Sequence, residues 1–558
     1  MKTAILILFS TIFLVACTHP NATTDSTNME SDPVFNKELV KDTLSSVQVQ
    51  RLYETAKVWG VLKYCHPNIV NGSYDMDFEL AKQLSITLCE QLPIDSVLIG
   101  WCNQYGELYT KTEITAPQWL IHGLSPGTAR MMNRIWSSAS YSRESHYVKI
   151  GMLQGIPIFQ NEKQYREIGD PSQIYRLLSL FRYWNIVNHY YANIDLLDDW
   201  DNVLKEFIPI FFASATKSEY VEALNRLTHE IEDGHGVLYS DVDPYKYLFG
   251  DRIAAVGARF VGDTLVVVST PHTLLNNEIS RGDEVVTVNG VGIKEIIQER
   301  TNLTAASNMK AIYTRISEQI FRTDRDTLEV QIRDKHGRIS HVKLPTYPAK
   351  DVDLEVMPDT CFRLIGTVGY LYTGTYKNQY KSKIKKAIEN TQALIIDLRC
   401  YPGEYMLYSF GELLSKKRVL FAKLRELRSV QPRDFKVTDA ASVGPLFSFS
   451  AYDKPVYVLV DENTFSQAEY MALAYSALPN VTVVGSQTAG ADGDVAEIWL
   501  PGRMLTYISS ISVLDRDGYN TQRIGIMPDI VVTPSVEDIR NGNDAVLNYV
   551  LKLIQPNC

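Results

Sequence analysis

The sequence predicts a multidomain α+β protein with an N-terminal helical region, a β-rich module and a C-terminal α/β core. Three observations lead there. The chain has 558 residues, which at roughly 100–200 residues per domain makes about three to five units. Apolar residues recur at helical spacing in 51–69 and 175–231, and strand-like segments dominate from 252. From 366 onward, short apolar strands alternate with helical segments, the pattern of βαβ units on a parallel or mostly parallel sheet.

Hydrophobic residues make up 45% and charged residues 22% of the chain, a globular composition that excludes wholesale disorder. The net charge of −10 argues against a bulk electrostatic grip on nucleic acid, so no nucleic-acid partner is expected.

The first sixteen residues read as an address. Lys2 supplies a positive start, and 4–15 is an apolar run too short to span a bilayer but right for a signal segment. It ends Leu14-Val15-Ala16-Cys17, which resembles a bacterial lipobox. The resemblance implies a signal peptide at 1–16, lipidation of Cys17, and a Thr-, Asn- and Ser-rich tether over 17–45. The expected location is the bacterial cell envelope, lipid-anchored to a membrane and facing the periplasm or the outside.

Six other cysteines remain, at 65, 89, 102, 361, 400 and 558, with no Cys-x-x-Cys pair, which excludes a zinc ribbon. Cys89 and Cys102 are the closest pair, and a disulfide and buried thiols are both open readings. The ten histidines lack ligand spacing, so neither a metal nor another cofactor is expected.

Residues 51–69 and 176–194 form a weak repeat, sharing Arg, Leu, Trp, Asn and Ile at a constant offset, with Asp77 and Asp201 following. Two helical units are expected, 46–170 and 171–250. His66 aligns with Tyr191 and His189 with Tyr64, which marks both histidines as packing residues. Pro209 is expected to interrupt the second unit. The helix over about 217–232 stops at Asp233-Gly234-His235-Gly236, an open turn with unusual backbone freedom.

The β-rich module spans 251–348, with strands expected at 254–261, 264–269, 284–289, 327–333 and 340–344. Gly282-Asp283 leads into an alternating strand that Asn289-Gly290 ends with a tight turn. This resembles the PDZ signature and implies a domain that takes an extended C-terminal peptide as an added strand. Residues 294–325 read as a helical insertion.

The core, 360–558, carries the chemistry. Ser466 stands where an apolar strand turns into a helix, so the helix N-terminus favours negative charge beside it. The amide of Gln467 is placed to meet an oxyanion, and Gly403, closing the neighbouring strand, is the second candidate donor.

Asp397-Leu398-Arg399-x-x-Pro402-Gly403, Ser466-Gln467-Ala468-Glu469, Val483-Val484-Gly485-x-x-Thr488-x-Gly490 and Gly525-Ile526-x-Pro528-Asp529-Ile530 resemble the motifs of the carboxyl-terminal processing and tricorn-type serine peptidases, in the family's order. Asp233-Gly234-His235 is similar to the tricorn-like branch's segment before its PDZ domain. The resemblance implies a ClpP/crotonase-like core, a serine-type endopeptidase acting on polypeptides, Ser466 as nucleophile and His235 as general base.

Departures from the pattern bear on mechanism. Ala491 takes the place of the lysine base of the processing branch, so a Ser/Lys dyad is unavailable there. Gly234 replaces the serine that precedes the histidine in tricorn, and Gln522 aligns with its distal glutamate. The candidate orienting groups for His235 are therefore Gln522, Asp492, Asp494 and Glu469. Glu404 replaces the second glycine of the Pro-Gly-Gly motif. These departures support a competing reading, a catalytically degenerate peptide- or ligand-binding lipoprotein on the same fold; other acyl-transfer chemistry with the same pair is a third. An imidazole within hydrogen-bond reach of the Ser466 hydroxyl favours catalysis, and a wide separation favours the binder or a gated enzyme.

Overall fold

The computed structural model describes residues 33–39, 43–152, 154–166, 168–270, 278–354, 357–445 and 451–555. Cys17, the signal segment and most of the tether lie outside these residues, as does Cys558. The architecture is a mixed helical and sheet assembly with several hydrophobic cores.

The largest core belongs to the helical region. At its centre lie Ser46–Cys65 and Gln173–Tyr190, the two repeat helices, the first buried from Arg51 onward and the second almost along its whole length. Their equivalence extends to their hydrogen bonds. Trp59 Nε1 donates to Met76 O at 2.7 Å, and Trp184 Nε1 donates to Trp200 O at 2.7 Å. Each indole thus ties its helix to the start of the next one. The ion pairs cross between units: Lys57 meets Asp201 at 2.9 Å, and Arg182 meets Asp77 at 2.5 Å. Where the helices cross, Asn185 Nδ2 donates to Ala56 O at 3.0 Å. A Cβ at Gly60 would lie 1.8 Å from Asn185 Oδ1, so this crossing requires glycine.

His66 and His189 are buried among aromatic rings. Burial pushes their imidazoles down to about 4 and about 3, so both pack as neutral rings. Cys65, Cys89, Cys102, Cys361 and Cys400 are free thiols, which removes the Cys89–Cys102 disulfide. Pro209 corrects an expectation: the helix Trp200–Ala213 runs through it. Burial of Leu204, Phe207, Ile208, Phe211 and Phe212 on that helix outweighs the backbone hydrogen bond that proline removes.

The β-rich module is an eight-stranded sheet with its own core. Gly257–Val261 is an edge strand, followed inward by Thr264–Ser269, Glu284–Val288, Thr327–Arg333 and Ile339–Pro348. Asn289 and Gly290 both have positive φ, 49° and 82°, the geometry of a type I′ hairpin turn. The insertion forms two helices, Ile293–Thr301 and Met309–Gln319, joined by a loop at 302–308.

The carboxyl-terminal core is built on a six-stranded sheet ordered Phe362–Ile365, Val368–Tyr372, Ala393–Asp397, Val456–Val460, Val481–Gly485 and Ile530–Val531. The first pair is antiparallel and the rest are parallel. Leu394 and Ile396 join one hydrophobic cluster and Ala393 and Ile395 another, as period-two alternation requires of a strand covered on both faces. The hairpin Val495–Leu500 and Met504–Ser509 leaves this core to pack on the helical region.

Candidate active site

Ser466 precedes the helix Gln467–Ser476, just beyond the carboxyl end of Val456–Val460. Its backbone is strained, with φ 52° and ψ −115°, a conformation that costs a non-glycine residue about 1–3 kcal/mol and persists only when neighbours enforce it. Glu469 supplies the enforcement. Its fully buried carboxylate accepts Ser466 N at 3.2 Å, Thr488 Oγ1 at 2.5 Å, Gly490 N at 2.7 Å and Ala491 N at 2.9 Å. Burial raises this carboxyl's pKa against the pull of those four donors.

His235 reaches Ser466 from the helical region. The helix Lys217–His229 ends, Glu232 turns the chain at φ 46°, and the turn 233–236 projects the imidazole. His235 Nε2 lies 3.1 Å from Ser466 Oγ. On the far side of the ring, Nδ1 lies 3.1 Å from Asp233 Oδ1 and 3.1 Å from Ser509 Oγ. Asp233 is fully buried; Oδ1 also accepts His235 N at 3.0 Å, and Oδ2 accepts Ser509 N at 2.8 Å. Burial works to raise the Asp233 carboxyl, and the hydrogen bonds and charge of His235 overcome it, holding it below the usual range.

The orienting groups are therefore a correction to the sequence reading. None of Gln522, Asp492, Asp494 and Glu469 is hydrogen-bonded to His235. Gln522 Nε2 donates to Ser307 Oγ at 3.2 Å, bracing the turn from a distance. Asp492 is buried and accepts Gly493 N at 2.7 Å; burial and the nearby Glu469 carboxylate raise its pKa well above the usual range. Burial raises the Asp494 carboxyl against the pull of His235 and Gln154, and its backbone carbonyl accepts Ser510 N at 2.8 Å and Ile511 N at 3.2 Å. Asp233 and Ser509 were missed. Asp233 stood inside a quoted motif, and its signal was an Asp two residues before the histidine, close enough to fold back on the ring. Ser509 gave none, because hairpin pairing brings it there.

Gly403 is corrected as well. Its N–H donates to Thr373 O at 3.0 Å, so it is not an open oxyanion donor. The turn at 373–376 presses on it: a Cβ at Gly403 would lie 2.5 Å from Gly374 O. Glu404 accepts Asn378 N at 2.7 Å, tying down the residues that follow that turn. The Gln467 amide makes no hydrogen bond among the described residues, as an open donor beside Ser466 requires.

A hydroxyl on a strained strand-to-helix turn, an imidazole and a buried carboxylate, joined in series, define the arrangement of a serine hydrolase site. Residues 367–532, which include Ser466, match the family model described as Peptidase family S41. The chain is 24% identical over 216 residues to a carboxy-terminal-processing protease of Bartonella bacilliformis, covering 36% of this chain and 48% of that protein. It is 29% identical over 162 residues to a nisin-resistance protein of Lactococcus lactis, covering 28% of this chain and 50% of that one. The chain thus spans half or less of the length of these curated relatives. The crystal structure of mature CPAF is similar in fold, with TM-score 0.55 at 16% identity over 69% of this chain and 98% of that one. The match to that family model is confined to the segment 367–532 of the carboxyl-terminal core.

Proposed function

We propose that this chain is a serine peptidase that cleaves polypeptides, with Ser466 as nucleophile and His235, oriented by Asp233, as general base. The observation that carries this reading is the continuous series from Ser466 Oγ through both ring nitrogens of His235 to Asp233, each step 3.1 Å. With Nδ1–H donated to the carboxylate, Nε2 is left as acceptor for the Ser466 proton. Ser466 Oγ attacks the peptide carbonyl, Nε2 takes its proton, and the Gln467 amide donates to the oxyanion. His235 then returns the proton to the leaving amine, and a water repeats the cycle to free the acyl group.

The close approach of His235 to Ser466 supports catalysis over the degenerate-binder reading, because a proton acceptor within hydrogen-bond reach is what activation of the hydroxyl requires. The test is peptide cleavage and fluorophosphonate labelling of the intact protein beside Ser466→Ala and His235→Ala. Cleavage retained by either variant would falsify its assigned role. Substrates cut away from their termini would support endopeptidase action.

Three further parts of this reading rest on the sequence patterns. The β-rich module is PDZ-like and holds a substrate C-terminus. The core is ClpP/crotonase-like. Cys17 carries a lipid that anchors the protein to a membrane of the cell envelope. Incorporation of a labelled fatty acid, lost in Cys17→Ser, tests the last of these.

A further inference from the structure

The loop at 302–308 lies between the two helices of the β-module's insertion, yet Ala305, Ala306 and Ser307 are buried. Ala306 packs into the module's own core, and Ala305 and Ser307 lie against the histidine turn. Ser307 Oγ accepts Gly234 N at 2.7 Å and Gln522 Nε2 at 3.2 Å. Asn308 Nδ2 donates to Thr488 O at 2.9 Å, on the segment that Glu469 ties to Ser466. From the following helix, Arg315 Nη1 donates to Ala305 O at 2.8 Å, and Nη2 donates to Gly234 O at 2.6 Å. Both backbone groups of Gly234, the residue before His235, are therefore held by the insertion.

Arg315 reaches the nucleophile side as well. Its guanidinium lies 5.7 Å from the centroid of the Phe465 ring, and Phe465 immediately precedes Ser466. The Phe465 and His235 rings are 4.9 Å apart between centroids. One planar, permanently charged fork thus meets the insertion loop, the histidine turn and the residue beside the serine. Gly234 itself has no room to change: a Cβ there would lie 2.9 Å from Ala491 Cβ and 3.0 Å from Phe465 Cε2.

We propose that Arg315, with Ser307, is a positioning residue for the reaction, setting the register of His235 against Ser466 from within the β-rich module. The proposal rests on the serine-peptidase reading for its catalytic consequence, but its geometric content stands alone. Asp233 closes the turn on itself, taking His235 N on Oδ1 at 3.0 Å and Gly236 N on its carbonyl at 2.9 Å, but with a strained entry at Glu232 and glycines on both sides of His235 the closed turn lacks stiffness relative to Ser466. Two hydrogen bonds on Gly234 supply that stiffness, and a displacement of the imidazole by about 1 Å is enough to cost about a hundredfold in rate.

The test uses the intact chain with Arg315→Ala, Arg315→Lys and Ser307→Ala. Arg315→Ala is expected to lower kcat by about 10–100-fold with KM changed by less than about threefold. Arg315→Lys, which keeps charge but not the fork, is expected to recover only part of that loss. An NMR measurement of the His235 imidazole, in protein with ring-labelled histidine, is expected to show a shifted or broadened Nδ1–H signal in Arg315→Ala and Ser307→Ala. Rates within about twofold of the parent together with an unchanged imidazole signal would overturn the proposal. If the parent neither cleaves peptides nor labels with fluorophosphonate, the peptidase reading fails. The positioning role is then decided by the imidazole signal alone, unchanged meaning wrong and perturbed meaning right.

Discussion

Asp233 stands two residues before His235 and meets it twice, with Oδ1 3.0 Å from its backbone N and 3.1 Å from its Nδ1. The same carboxylate oxygen thus closes the turn and selects the ring tautomer. Asp233→Asn keeps the shape and loses the obligate acceptor. It is expected to lower kcat by ~10²–10⁴-fold, because the imidazole is released into the wrong tautomer. The depressed Asp233 carboxyl gives this a pH counterpart. A group depressed on folding contributes stability above its unfolded value and loses it as pH falls through the folded one, so the thermal advantage of the parent over Asp233→Asn should shrink on acidification. An advantage that grows toward acid pH would contradict it.

Ser509 Oγ also lies 3.1 Å from Nδ1, so its share can be separated. Ser509→Ala removes the hydroxyl but leaves the backbone N–H that holds Asp233 Oδ2. A neutral hydroxyl competes weakly with a carboxylate for the ring proton, and the expected loss in kcat is under about tenfold. A loss matching that of Asp233→Asn would assign the orienting role to the hydroxyl.

Glu469 was a candidate orienter, and the structure gives it a different task. Four donors converge on its carboxylate, including the amide of the strained Ser466. Glu469→Gln turns one acceptor oxygen into a donor facing other donors. The expected cost is ~2–5 kcal/mol of folding stability, read by denaturant titration. Unfolding midpoints equal to the parent's would mean that the carboxylate braces nothing.

Legibility followed how local each feature is. Ser466 and Gln467 could be placed because a strand-to-helix junction is written in consecutive residues. The inner strands of the sheet were readable for the same reason: buried apolar runs such as 393–397 bounded by turns have few alternatives, whereas the outer strands Phe362–Ile365 and Ile530–Val531 were not. His235 was found through a contiguous motif. What escaped depends on which surfaces meet. Ser509, Ser307 and Arg315 come from a hairpin and an insertion whose docking has no local signature. Gly403 was misjudged because the carbonyl that takes its N–H, Thr373 O, lies in a turn elsewhere in the chain. Pro209 was misjudged because proline's local cost was visible and the burial that offsets it was not.

The repeat yields an asymmetry that its ion pairs make measurable. Arg182 and Lys63 share two carboxylates, Asp77 and Glu162, and the side chains of both cations are fully buried. Lys57 pairs with Asp201, whose side chain is 20% exposed. Burial lowers the Lys57 ammonium pKa, so a Lys57 without Asp201 has a route to neutrality, whereas loss of Asp77 leaves Arg182 and Lys63 both charged against the single carboxylate of Glu162. Asp77→Asn is expected to destabilise by ~3–5 kcal/mol, and Asp201→Asn by clearly less, in paired denaturant unfolding. Equal losses would show that exposure and side-chain chemistry do not distinguish the two copies.

A last consequence concerns the seam between the β-rich module and the segment that leads from Val456–Val460 to Ser466. Arg259, on the edge strand Gly257–Val261, reaches Glu462 at 2.5 Å and Asp461 at 3.5 Å. Burial, then the neighbouring Glu462 carboxylate, pushes Asp461 up to about 6, while Arg259 and Arg399 pull the other way. A carboxyl raised on folding contributes stability that is present below its ordinary value of 3.8 and lost as pH rises through about 6. Asp461→Asn is neutral at every pH and keeps an oxygen for the Asn463 amide, which Asp461 Oδ1 accepts at 2.9 Å. The difference in Tm, variant minus parent, should therefore become more positive between about pH 4 and about pH 8. A difference that is flat, or that becomes more negative, would mean that Asp461 is held as a carboxylate by Arg259. The seam would then be a strong ion pair rather than a site where one acid is kept protonated into mildly acidic solution.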